Sequence, residues 1–440
     1  MRRRSAWTTT LCLATSLLGC GAKTGLRVPD VPVDVQADVP PTQFCIDLDP
    51  DAGLITVDLE TQPQLSVADV FFVIDRTGSM NDEIDNIKAN LSSTIVPAIA
   101  RAIDDVQFGV ATYSDFAIPE YGSPDDVVFS LVSPVDQSVA NVQGAVNSIR
   151  TGLGGDNPEA LTEALFQVAS GEGYPPWIAP RAACPAPGRV GYGCLRPNAQ
   201  PIFVVVTDAP THNGPLGRNA YSPATFTSPP ACPPTLPSCA ASRAPHGYDE
   251  MIAAVRDARA RVIGISSGVA PFTGRADLEA IARDSGAVTS VGQPLVFDIG
   301  PDGRDLDSRV VTAVETFTRQ VRFNASARVV DLDPMNRATT LVRAIRPARA
   351  APMGQIERLD DTTFYGVVPG TRLTFSVELQ ASVPRGPRPQ RFPARVQFLA
   401  DGRPNLGFED IVIVIPAEDG SGCNGAPMND GGAGMDASGP

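Results

Sequence analysis

With 440 residues the chain is long enough for two domains plus tails, and its net charge of −14 comes from 49 acidic side chains and very few lysines, Lys23 and Lys88. So acidic a chain offers no electrostatic footprint for nucleic acid. The acidity is uneven: Val321 to Pro416 holds 13 arginines against 9 acidic residues, a net +4, so the remainder carries −18 and two regions of different character are expected.

At the N-terminus, Arg2, Arg3 and Arg4 precede a short, threonine-interrupted apolar stretch from Ala6 to Leu18. Its length suits a signal-peptide core and is too short to span a bilayer. It ends in Leu17-Leu18-Gly19-Cys20, which resembles the lipobox of bacterial lipoproteins. The resemblance implies cleavage after residue 19 and a lipid on Cys20; an ordinary secretory signal with an incidental cysteine is the alternative. Gly21 follows instead of an acidic residue, which in the resembling family favours the outer membrane. The expected location is therefore the bacterial cell envelope, by lipid anchor only.

Residues 20–44, rich in Pro, Val and Asp, read as an extended linker. Residues 45–66 contain one alternating run, Leu54–Leu59. From 67 to 323 strand-like and helix-like patterns alternate. Strands are predicted at Val67–Ile74, Val106–Tyr113, Val127–Val132, Ile202–Thr207 and Arg261–Ser266, and helices at Asn81–Ile103, Val139–Arg150, Pro158–Ala169, Tyr248–Ala258, Arg275–Asp284 and Asp307–Arg322. This alternation predicts an α/β fold with a mostly parallel sheet. Two long Pro-rich insertions, 171–200 and 210–246, flank the strand that ends before Asp208, and both are expected on the face where ligands bind. Residues 324–417 change to short alternating runs separated by turns such as Pro369-Gly370, and predict an additional β-sandwich domain. With Leu54–Leu59 on the other side, the α/β region reads as inserted into that sandwich. The Gly/Asp/Ser-rich stretch 418–440 reads as a disordered tail.

Eight cysteines are present. With Cys12 removed in the signal and Cys20 lipidated, six remain, an even number that suggests disulfides in an exported chain. Six cysteines allow fifteen pairings; the expected set is Cys184–Cys194 and Cys232–Cys239, local pairs within Pro/Gly-rich loops, which would leave Cys45–Cys423 to close the outer domain. Zinc is the competitor, but only His212 and His246 exist and no CxxC spacing occurs.

Three loops carry the functional signal. The apolar run Val70–Ile74 breaks into Asp75-Arg76-Thr77-Gly78-Ser79, where oxygen donors recur at every second position. Gly154-Gly155-Asp156-Asn157-Pro158-Glu159 opens a helical pattern, and Thr207-Asp208-Ala209 follows the strand Ile202–Val206. All three lie where parallel strands end, the place ligands occupy in such sheets. In this order the motifs resemble a von Willebrand factor A domain with its metal-ion-dependent adhesion site, the second loop being most similar to the I-like domain of integrin β subunits. The resemblance covers roughly 67 to 322 and implies a doubly wound sheet. It also implies Mg²⁺, or Mn²⁺ in its place, held by Asp75, Thr77, Ser79, Glu159 and Asp208, with one position open for an acidic side chain of a partner protein. Thr77 departs from the family's serine but keeps the hydroxyl. An adjacent Ca²⁺-type site is implied at Asp82 and Glu83, with Asp156, and Asp115 beside Asp156 is a candidate for a third. Gly154 replaces the asparagine expected there.

Each loop also has a plainer explanation. Ser79 with Asp82 resembles a capping box. Asn157-Pro158-Glu159 is what a helix start looks like unaided, Asp208 has the plain reading of a turn cap, and the helix dipole accounts for Asp82 and Glu83 equally well. No GxSxG, P-loop or HExxH motif occurs. The expected function is therefore metal-dependent protein binding or adhesion and not catalysis. The alternatives are an accessory subunit that assembles a larger envelope complex, and a metal-dependent hydrolase with His212 as base.

Overall fold

The computed structural model describes residues 44–227, 241, 243–268, 273–300 and 302–423. The signal segment, Cys20, most of the linker, the Cys232–Cys239 pair and the tail beyond Cys423 lie outside the described residues.

The described residues begin with two strands, β1 (Phe44–Asp47) and β2 (Leu54–Thr61). It then enters the α/β region through β3 (Val67–Asp75), α1 (Asn81–Asn90), α2 (Val96–Ala102), β4 (Asp105–Tyr113), β5 (Ser130–Asp136), α3 (Val139–Asn147) and α4 (Leu161–Ser170). The region continues with β6 (Gln200–Thr207), α5 (Pro223–Thr227), α6 (Tyr248–Asp257), β7 (Arg261–Ser266), α7 (Arg275–Ser285), β8 (Val296–Asp298) and α8 (Leu306–Gln320). Its sheet has the order β5-β4-β3-β6-β7-β8, parallel throughout except for β5, which runs antiparallel at one edge. Every residue of β6 is buried, as is every residue of β3 after the first. A strand covered on both faces is apolar without alternation, which is why Val70–Ile74 and Ile202–Val206 read as unbroken runs. One group of helices joins α1, α2, α3 and α8, and a second joins α4, α6 and α7.

Three local expectations shift. The helix foreseen over Asn81–Ile103 is two helices joined by a π turn at Leu91–Ile95. Pro97, in the first turn of α2, cannot donate to the helical ladder, and the wider turn precedes it. The strand expected from Val127 starts at Ser130, because Val127 is held by Ser114: its N–H donates to the Ser114 hydroxyl and its carbonyl accepts from the Ser114 N–H. The helix expected from Pro158 begins at Leu161.

After α8 the chain forms β9 (Phe323–Asp331), β10 (Val342–Ala351), β11 (Arg358–Leu359), β12 (Thr363–Val367), β13 (Arg372–Gln380), β14 (Gln390–Ala400) and β15 (Phe408–Ile415). These form two sheets, β1-β15-β14-β9-β12-β11 and β10-β13-β2, around a second core that includes Phe364, Phe375, Val377, Val396 and Ile413. β1 pairs in parallel with β15, and β2 pairs antiparallel with β13 from Leu54↔Gln380 to Thr61↔Leu373. The polypeptide thus contributes to this core both before and after the α/β region. A disulfide joins Cys45 to Cys423, and a second joins Cys184 to Cys194.

The two cores meet at the amino ends of the parallel strands. Buried Arg403 donates to the carbonyls of Ala199 and Ala258, and Arg261 pairs with Asp401 at 3.0 Å. The last part of insertion 171–200 reaches this end too. Its Arg196 donates to buried Asp69 and to Asp105, near the starts of β3 and β4. The expectation that both insertions decorate the ligand face thus meets, in this one, a segment that runs between the two ends of the sheet. A segment running from the end of α4 to the start of β6 must return to the amino end of the sheet, but on the way its Tyr174 and Trp177 pack against Phe116, which follows β4 at the carboxyl end.

Candidate metal site

Asp75 is the last residue of β3 and is wholly buried. Its Oδ1 accepts from the Thr77 N–H at 2.9 Å and from the Thr77 hydroxyl at 2.7 Å, while its Oδ2 accepts from the Thr207 hydroxyl at 2.8 Å. One carboxylate thus ties the first loop to the third. Thr77 spends its hydroxyl proton on Asp75, so the oxygen lone pairs remain to accept, and Thr77 Oγ1 lies 3.3 Å from Ser79 Oγ. Burial pushes the Asp75 carboxyl up to about 6; the Thr77 and Thr207 bonds pull it back, and the neighbouring Asp208 charge adds to the rise. The capping-box explanation of Ser79 fails, since no side chain caps α1 and Ser79 sits in a short 3₁₀ turn, Gly78–Met80.

Glu159 is the informative residue. It is 4% exposed, and its Oε2 has no hydrogen-bond partner. Burial is the largest cause lifting its carboxyl to about 11, followed by the charges of Asp75, Asp115, Asp126 and Asp156. The backbone pins it in place: its N–H donates to Pro210 carbonyl at 2.9 Å, and its carbonyl accepts from the His212 N–H at 2.8 Å. The second and third loops are therefore laced together. Because α4 begins two residues later, Glu159 is not the first-turn acid of a helix. Gly154, at φ +77°, brings its loop against both partners: a Cβ there would lie 3.6 Å from Thr77 Cβ and 3.8 Å from Glu159 Oε1. A left-handed backbone at this point suits glycine.

Asp208 follows Thr207 at the mouth of the site, half-buried, and its charge raises the carboxyls of Asp75 and Glu83. A buried carboxylate without a partner is costly unless a proton or cation neutralises it. Asp75, Thr77, Ser79, Glu159 and Asp208 offer two hydroxyls and three carboxylates, with no nitrogen or sulfur. That donor set fits a hard divalent cation such as Mg²⁺.

Of the residues considered for an adjacent site, Glu83 is 1% exposed with an unpartnered Oε2, and burial, then the Asp208 and Asp82 charges, push it up to about 7. Asp82 is exposed in the first turn of α1. Asp156 does not join them: its Oδ2 lies 3.1 Å from His212 Nε2. His212 is 4% exposed with Nε2 set between Asp156 and Asp115, which does not suit a general base that must reach a substrate water. The sequence displays Thr207 but not its bond to Asp75, and gives no sign of Asp126, whose charge raises Glu159, or of Tyr221, whose hydroxyl donates to Asp115 Oδ1. Asp126 is signalled by nothing but proximity in space; Tyr221 comes from the Pro-rich insertion.

No protein-family model and no curated protein sequence matches this chain. Solved structures with partial similarity include a von Willebrand factor type A protein from Catenulispora acidiphila, 15% identical with a TM-score of 0.35, covering 85% of this chain and 72% of that one. The pilus adhesin SpaC from Lactobacillus rhamnosus GG, in its open conformation, is 12% identical with a TM-score of 0.32, covering 82% of this chain and 45% of that chain. Proximal thread matrix protein 1 from the mussel byssus is 13% identical with a TM-score of 0.31, covering 59% of this chain and 47% of that chain. This chain thus spans less than half of the adhesin and of the byssal protein.

Proposed function

We propose that this chain is a lipid-anchored envelope protein of the von Willebrand factor A type that binds a partner protein through a divalent cation at Asp75, Thr77, Ser79, Glu159 and Asp208. The observation that carries the reading is Glu159, a buried carboxyl with an unpartnered oxygen, set among acids beside the Thr77 loop. Asp75 orients the Thr77 hydroxyl by accepting its hydrogen bond, and Thr207 holds Asp75 in turn. Thr77 and Ser79 offer neutral oxygens, while Glu159 and Asp208 offer charge. When bound, Mg²⁺ supplies an electrophilic position that an acidic side chain of the partner can complete. Cys20 supplies the anchor, and residues 21–43 the reach from an outer membrane.

The test is capture from an envelope extract by the immobilised chain in Mg²⁺, with chelator and with Asp75→Ala as controls. The reading expects a partner whose recovery is lost in both controls. Equal recovery in chelator would sink it.

A further inference from the structure

We propose that Asp115, Asp156 and His212 form a second cation site, separate from the Asp75 site, that takes a borderline transition-metal ion of the Zn²⁺ class. It does not rest on the reading of the Asp75 site, because none of its three ligands belongs to that set; Asp115 and Asp156 were the resemblance's candidates for a third site, and the ligand the structure adds to them is His212.

The residues converge from three loops. Asp115 follows β4 and is wholly buried. Its Oδ1 is satisfied by the Phe116 N–H at 2.6 Å and the Tyr221 hydroxyl at 2.5 Å. Its Oδ2 accepts no hydrogen bond and lies 3.2 Å from His212 Nε2. Asp156 comes from the loop before Glu159, with its N–H donating to Tyr121 carbonyl at 3.0 Å. The Asp156 side chain is 34% exposed, so it gives an ion a way in.

The histidine is set as a ligand. His212 Nδ1 lies 2.7 Å from the Asn219 carbonyl, and a ring N–H donated there leaves Nε2 with its lone pair facing the two carboxylates. A metal-binding imidazole is ordinarily oriented in this way by a carbonyl behind it. The ring stacks on Tyr221 with centroids 4.1 Å apart and meets the edge of Tyr121, so it cannot swing out.

Distance and donor type then select the ion. The three ligand atoms lie within 4.8 Å of one another, and Nε2 stands 3.2 and 3.1 Å from the two carboxylate oxygens. Ligands bound tetrahedrally to Zn²⁺ at 2.0–2.2 Å are spaced roughly 3.3–3.6 Å apart, so small adjustments close the site. One imidazole with two carboxylates disfavours a purely hard ion and suits Zn²⁺ or its neighbours. Three protein ligands leave a position for water. The competing occupant is a proton, which would make His212 an imidazolium between two carboxylates.

The experiment is a Zn²⁺ titration of the metal-stripped full chain in excess Mg²⁺, followed by calorimetry and by the visible absorption of Co²⁺ used in its place. The wild type should take up one Zn²⁺ under these conditions, and so should Asp75→Ala. His212→Gln should weaken uptake by about 100-fold or more, beyond the 10–100-fold typical of losing a supporting residue. Asp156→Asn, a change at an accessible position, should also weaken it and guards against misfolding of the buried variants. Absence of uptake in excess Mg²⁺ would overturn the proposal, as would uptake that survives both His212→Gln and Asp156→Asn.

Discussion

Replacing Glu159 with glutamine separates a cation ligand from a structural acid. The side chain is buried, its Oε2 is unpartnered, and the charges of four other carboxylates act on it. Its carboxyl is pushed up to about 11, so without a cation the folded protein must hold it protonated at neutral pH. Protonating an acid whose ordinary value is 4.5 at pH 7.5 costs about 4 kcal/mol at ~1.36 kcal/mol per unit. Glutamine has the shape of the protonated acid and avoids that cost. Because the surrounding acids share protons, the expected gain for Glu159→Gln in chelator is between about 1 and 4 kcal/mol. That corresponds to a melting temperature higher by several degrees, at roughly 2–4 °C per kcal/mol for a domain this size. The sign follows from linkage: a raised carboxyl contributes its stability below pH 4.5, and the contribution falls as pH rises toward the folded value. The gain should therefore shrink toward zero as the pH approaches 4.5. In saturating Mg²⁺ the order should reverse, with the wild type gaining stability and the variant gaining none. Scanning calorimetry with chelator and with Mg²⁺ reads both effects. A variant less stable than wild type in chelator would refute the reasoning, since the carboxylate would then be supporting the fold without a cation.

Other consequences follow from the same residues. The metal-free chain should lose thermal stability as pH rises from about 4.5 to 8, because burial raises Asp75 to about 6 and Glu83 and Asp115 to about 7, and Mg²⁺ should suppress the slope. Chemical denaturation at several pH values measures this, and a flat metal-free profile would contradict it. Removing the Cys45–Cys423 link with paired serine substitutions should cost about 2–4 kcal/mol in the second core, where β2 still pairs with β13. Hydrogen exchange should show the loss in β1 and β15 and leave β3 and β6 unchanged. Cys20→Ala should move the protein from the membrane fraction to the soluble one; unchanged partitioning would exclude lipidation.

How much was legible in the sequence depends on how local the cause is. Val70–Ile74 and Ile202–Val206 announce buried parallel strands because nothing polar interrupts them, and Asp75 and Asp208 sit where each run stops. β10 was not foreseen: Val-Arg-Ala-Ile-Arg-Pro-Ala-Arg-Ala-Ala has no period-two pattern, and its pairing with β13 is broken by register shifts that upset alternation. The two-residue delay in the start of α4 came from a tertiary cause, the lacing of Glu159 to Pro210 and His212. The meeting of His212 with Asp115 was invisible for the same reason. Nearly a hundred residues separate them, and the contact depends on the fold of a loop whose proline content gives no period to read.

Direct titration of the purified chain with Mg²⁺, alongside Asp75→Ala, tests the central claim. Calorimetry near pH 6.5 in buffers of different protonation enthalpy should show saturable Mg²⁺ uptake accompanied by proton release, because Glu159 must shed a proton to become a ligand. Asp75→Ala should abolish that uptake. No Mg²⁺ binding by the wild type, or binding unchanged in the variant, would contradict the account.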